Sequence, residues 1–335
     1  MAGTVNPSTP QLRNKTERQG AAGRCQSLVR ALREIARRAG SDLNHDDLSA
    51  ALGLCWSPVA VPTEPDLGLW PLYARDAFLP EAGRLFGLTI RDMHPPEAAR
   101  GLSAAAEFAQ HFDASYRPLI RRALEHDQPV LAWQGPVGDR GMCWGVIRGV
   151  CDGGVGFEAE VFDGGEASGP RKAITLATPP VQLYVVESAA PSRPEIGALI
   201  ELVLRNADIV LSNGLADRFG VVTGPGAYDR WIERLDVQGE SRGEVDRLLA
   251  AHRRLTSAAL TGCESGIRCL QRNHLDAGAA VADRAARLMD GMREVARELR
   301  IAASSELGTE GDCKVRSALT RARDAMRSVS PRQTN

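Results

Sequence analysis

The chain has 335 residues, a formal net charge of -1, 43% hydrophobic and 5% aromatic residues, and 7 cysteines. A near-neutral chain of this size carries no global signature for nucleic acid or an anionic membrane, and it has apolar residues enough for two domains. The cysteines are odd in number, contain no CxxC, and have no histidines at zinc-ligand spacing, so the expectation is reduced thiols, no structural metal and no cofactor.

Residues 1–22 are polar and Pro-, Thr- and Asn-containing, which predicts a disordered arm without the apolar core of a signal peptide. An amphipathic helix is predicted from Arg24 to Arg38, with Leu28, Ala31, Leu32 and Ile35 on one face. Basic residues outnumber acidic ones between Met1 and Gly40, and the reading is a solvated helix face rather than an anion-binding patch. Asn44 can cap a second helix that Gly53 ends, its Asp46-Asp47 pair complementing the dipole rather than holding a metal. The segment 55–70 is loop-like, with Trp56 as a core filler beside it.

A helix over 72–86 and a strand over 88–93 follow, then a helix opened by Pro95-Pro96 and another over 115–126. Three strands with Gly-rich turns come next, Gln128 to Gln134, Cys143 to Gly149 and Gly154 to Asp163, and a fourth runs from Val181 to Glu187. After the linker at 189–194 the texture is wholly helical. One apolar seam holds Val245, Leu248, Leu249, His252, Leu255 and Ala259, another Val281, Ala285, Leu288, Met292, Val295 and Leu299, and a last helix spans 315–326. The expected class is α+β: a domain over 23–188 of helices plus a small antiparallel sheet, an all-α bundle over 189–327, and a tail over 328–335. No segment reaches the roughly 20 apolar residues of a membrane span, so a soluble, cytoplasmic protein is expected.

Cys25 is the best nucleophile candidate. It stands at the predicted entrance of the first helix, where unpaired backbone N–H groups stabilise a thiolate. Gln19 lies upstream at a spacing that could serve an oxyanion hole, and Asp163 ends the third strand, where it could orient a base. Against this, Cys25 shares the apolar face with Leu28 and Leu32, and Asp163 before Gly164 is ordinary turn chemistry. The strand that should open with a histidine opens with Cys143-Trp144 instead; these residues, with Gln19 and Trp133, are candidate cleft-lining positions. His94 and His126 are the alternative bases nearest to strands.

Four segments carry a family resemblance: Cys25-x-Ser27-Leu28, Ala51-Leu52-Gly53, Gln128-Pro129-Val130-Leu131 and Trp144-Gly145-Val146-Ile147. They resemble bacterial proteins with a butirosin-biosynthesis-protein-H-like N-terminal domain, a papain-like, bacteriocin-leader-peptidase-like fold. Gly226-Ala227-Tyr228-Asp229-x-Trp231 is similar to the helical C-terminal extension of that family. The resemblance spans about 23–327 and implies a Cys–His site for thioester-linked acyl transfer or peptide cleavage. Only Cys25 and Asp163 carry over. The expectation is a catalytically degenerate cysteine-peptidase-like protein binding a peptide, small molecule or partner protein, with no nucleic-acid partner. The alternatives are an active thiol acyltransferase or amidase using Cys25, and an interaction scaffold whose helical seams pair copies of the chain.

Overall fold

The computed structural model describes residues 27–58, 78–93, 112–133, 144–151, 156–162, 171–173, 182–214, 221–235, 242–305 and 311–331. Its class is α+β, with a helical C-terminal region. The first helix, α1 (Ser27–Arg38), buries Leu28, Val29, Ala31, Leu32, Ile35 and Ala36. The second, α2 (His45–Ala51), starts where the sequence indicates. Asn44 Oδ1 accepts the N–H groups of Asp46 at 3.0 Å and Asp47 at 3.2 Å, satisfying two donors that the helix leaves open. Then come α3 (Leu79–Leu85), β1 (Leu88–Asp92) and a π-helical turn (Phe112–Tyr116) leading into α4 (Arg117–Glu125).

Strands β2 (Val130–Trp133), β3 (Trp144–Val150), β4 (Phe157–Val161), β5 (Arg171–Ala173) and β6 (Gln182–Ala189) complete an antiparallel sheet of order β1-β6-β2-β3-β4-β5. The short β5 is not among the expected strands. It has three residues and no alternating pattern, and only pairing with β4 defines it. Gly87 makes the α3–β1 turn at φ 76°, and a Cβ there would stand 2.2 Å from the Ala190 carbonyl oxygen, so a side chain would push the β6 exit away.

Both faces of the central strands are buried, which explains their near-continuous hydrophobicity. Leu131, Trp144, Val146, Tyr184 and Val186 join the side chains of α1 in one core. On the other face Val130, Ala132, Ile147, Leu183 and Val185 pack with Ile120 and Ala123 of α4. The sheet is thus a middle layer, with α1 above and α4 below.

The remaining helices are α5 (Ile196–Leu211), α6 (Gly224–Arg234), α7 (Arg242–Asn273), α8 (Ala279–Ser304) and α9 (Gly311–Val329). The expected seams are used inside the chain: Leu255 and Ala259 of α7 and Ala285, Leu288, Met292, Val295 and Leu299 of α8 belong to the same core that α1 enters. Helix α7 runs unbroken through Gly262 and Gly266, whose lack of side chains lets it lie close against the segment after α2. Trp56, fully buried, lies over Gly266 and donates its indole N–H to the Ala50 carbonyl at 3.3 Å. Among the described residues no helix is long and apolar enough to cross a membrane.

Candidate functional site

Two hydrogen bonds tie the first turns of α1 to one end of the sheet. The backbone N–H of Trp144, which opens β3, donates to Ser27 Oγ at 3.0 Å. One turn further along, Arg30 Nη1 donates to the Phe162 carbonyl, just past β4, at 3.3 Å. Its guanidinium also lies 5.7 Å from the centroid of the Phe162 ring, a cation–π distance. Strands β3 and β4 are antiparallel with Gly145 opposite Val161, so the start of one adjoins the finish of the other. The entrance of α1 therefore stands over the end of the sheet where β3 begins and β4 stops.

Cys25 precedes Ser27 by two positions, Cys143 directly precedes Trp144, and Asp163 directly follows Phe162. These three residues and Gln19 lie outside the described residues; what the structure brings together is their neighbours in the chain. Trp133 ends β2, its backbone paired with Trp144 on one side and Gln182 on the other. Trp144 is 0% exposed, with its ring centroid 6.0 Å from that of Tyr184, so it floors this end of the sheet instead of presenting a ring to solvent.

No described histidine belongs to α1, β3 or β4. His126 is an exposed histidine. It follows α4, the helix under the opposite face, with Nδ1 2.7 Å from the Arg122 carbonyl oxygen. His94 lies outside the described residues. His252 is buried in the helical region, where its Nδ1 accepts the Trp231 indole N–H at 3.1 Å.

Behind the helix entrance, α1 is held to the sheet by charge. Glu34 accepts from Arg37 at 2.7 and 2.8 Å and from Arg38 at 2.8 Å. The Arg37 hydrogen bonds are the chief cause of its carboxyl falling to about 2, against the upward pull of burial and with further help from Arg38. Arg38 also pairs with Glu160 of β4, whose other oxygen accepts from Arg148 Nε at 2.8 Å. Arg148 sits at a register break between Ile147 and Gly149. Burial lowers its guanidinium pKa.

This network absorbs Arg37 and Arg38 from the basic N-terminal cluster, while Arg33 pairs with Asp42 at 2.7 Å. The Glu34 contacts are legible as neighbours on a helix. The Ser27–Trp144, Arg30–Phe162 and Arg38–Glu160 contacts join positions over a hundred apart, and Arg148–Glu160 joins two strands 12 positions apart; none of them has a local signal in the sequence. Among the described residues no group of three or more His, Cys, Asp or Glu residues could hold a metal ion. No protein-family model matches the chain, and no curated protein matches it either.

Proposed function

We propose that this protein is a catalytically degenerate, papain-like cysteine-peptidase relative that binds a peptide, small molecule or partner protein above the joined ends of β3 and β4. The observation that carries the reading is the Ser27–Trp144 contact. It joins the helix entrance following Cys25 to the strand opening at which papain-like enzymes carry a histidine. A buried indole stands there, and an indole N–H donates but cannot take a proton. A thiol at Cys25 would lack the adjacent base that activates a nucleophile.

The test is the pH dependence of alkylation of Cys25 by iodoacetamide in the full chain, assigned by comparison with Cys25→Ser. The expected rate climbs with pH through the range of an ordinary thiol, about 8.5. A thiolate titrating near neutrality overturns the reading and restores an acyltransferase or amidase.

A further inference from the structure

At the C-terminal end of α1, away from the Ser27–Trp144 contact, several element ends meet around a cavity of about 420 Å³. The 12 residues of α1, at about 1.5 Å per residue, set the two places roughly 18 Å apart. The volume falls within the range of small-molecule pockets. Its apolar lining is Leu43, Phe86 and Pro194, and the first two are almost fully buried.

Most polar groups around the cavity are committed to one another. Arg272 donates to Asp46 at 3.0 Å, Asp47 at 2.8 Å and Asn44 at 2.7 Å. Asn273 donates to Asp47 at 3.1 Å, and Asp42 is paired with Arg33. Two charges of opposite sign are left. Arg193 and Asp276 line the cavity and make no hydrogen bond or ion pair with any described residue.

Both stand on fixed backbone. The segment before Arg193 is stitched to the α3–β1 turn by the Ala190 N–H on the Gly87 carbonyl at 2.9 Å and the Ser192 N–H on the Phe86 carbonyl at 3.2 Å. Asp276 closes a short 3₁₀ turn whose next residue, Ala277, is buried and donates to the His274 carbonyl at 3.3 Å. A guanidinium offers forked donors to a carboxylate, and a free carboxylate accepts from an ammonium.

We infer that this cavity is a second binding site, for a small zwitterion whose carboxylate meets Arg193, whose ammonium meets Asp276, and whose carbon stem lies on Phe86, Leu43 and Pro194. The site is separate from the one proposed above.

Isothermal titration calorimetry on the full chain tests it, with unbranched ω-amino acids from glycine to aminooctanoate as probes. Matched alkylamines and alkyl carboxylates are the singly charged controls. The expected result is saturable binding of one equivalent of at least one amino acid, at least about tenfold tighter than either control. Arg193→Ala and Asp276→Asn, both at exposed positions, each weaken it by about tenfold or more, the loss of one charge-assisted contact. Alkylating Cys25 beforehand leaves the binding unchanged. If no member of the series saturates, if the controls bind equally well, if neither substitution matters, or if alkylation of Cys25 abolishes binding, the inference fails.

Discussion

Asp46 and Arg268, 222 positions apart, form a two-point ion pair in which Arg268 Nε donates to one carboxylate oxygen at 3.0 Å and Nη2 to the other at 2.9 Å. Ser265 adds a hydroxyl donor at 2.5 Å and Arg272 a further guanidinium at 3.0 Å. The cluster locks α2 of the helix–sheet region onto α7 of the helical region. Burial raises the Asp46 carboxyl, but hydrogen bonds from Arg268, Ser265 and Arg272 outweigh it and bring the group to about 2, below its ordinary 3.8. The unfolded chain therefore binds this proton at a higher pH than the folded one. The stabilisation is complete above 3.8 and is lost as pH falls toward 2.

Replacing Asp46 with Ala removes the carboxylate that the buried Ser265 hydroxyl and two guanidinium groups share, of which Arg272 keeps Asp47 and Asn44. Because both arginines are partly exposed, the expected loss is about 2–3 kcal/mol, below that of a fully buried pair. Urea unfolding at neutral pH and near pH 2 measures it. The difference between parent and variant shrinks in acid; an equal difference at both pH values contradicts the account.

A second acid-sensitive group works in a different window. His252 is buried between α6, α7 and α8, with Nδ1 accepting from Trp231 and the backbone carbonyl of Ala302 close to the ring. Burial is the main cause of its fall from 6.5 to about 4; the Ala302 carbonyl opposes it and the nearby Arg253 charge adds to it. Protonating Nδ1 would break the Trp231 hydrogen bond. The unfolded histidine takes up a proton below 6.5 while the folded one does not, so stability falls as pH drops from 6.5 toward 4, by about 3 kcal/mol in all. Denaturant titrations at stepped pH, read by tryptophan fluorescence, should show this slope in the parent chain. They should show it flattened in His252→Leu, with the Asp46 limb below pH 4 retained.

Local chemistry made much of the fold legible. Asn44 before Asp46-Asp47 states a capped helix, and the strands around Val130, Val146 and Val185 state a sheet; that both its faces are buried is a finding of the structure. The structure shows the caps and strands where those residues indicate. What could not be read depends on partners distant in the chain. Strand β5 exists through its pairing with β4, and Arg38 of α1 meets Glu160 of β4 across 122 positions. Nor does any pattern around Ser27 announce that it receives the amide of a residue 117 positions away. The heptad-like steps of α8 suggested a face for self-association, yet the same steps serve packing within the chain, and periodicity cannot distinguish the two.

The buried thiols should be chemically silent. Cys55, Cys263 and Cys269 have no disulfide partner and lie in the core. Burial pushes the Cys55 thiol up to about 12 and raises those of Cys263 and Cys269 as well. Cys313 is exposed on α9. A thiol-reactive chromogenic disulfide should label Cys313 within the fast phase and reach these three only after denaturation, as mapped by peptide mass analysis. Fast labelling of Cys55 in the native chain contradicts the packing described around it.

Glycines inside α7 give a prediction whose sign is opposite to helix propensity. Alanine in place of a mid-helix glycine ordinarily gains about 1 kcal/mol. At Gly266 the added Cβ would stand 2.8 Å from the Trp56 ring and 3.0 Å from Cys55 Cβ, and Trp56 is fully buried with its indole held by the Ala50 carbonyl. Neither neighbour can give way without disturbing the α2–α7 contact, so overpacking of about 1–3 kcal/mol exceeds the propensity gain. Gly266→Ala should therefore lower the melting temperature. Gly243, near the start of the same helix, has nothing within 4 Å of a Cβ, and Gly243→Ala should leave stability unchanged or raise it by up to about 1 kcal/mol. Thermal unfolding of the two variants beside the parent separates packing from propensity: if Gly266→Ala is as stable as Gly243→Ala, the close approach of Trp56 to α7 is not what holds these helices together.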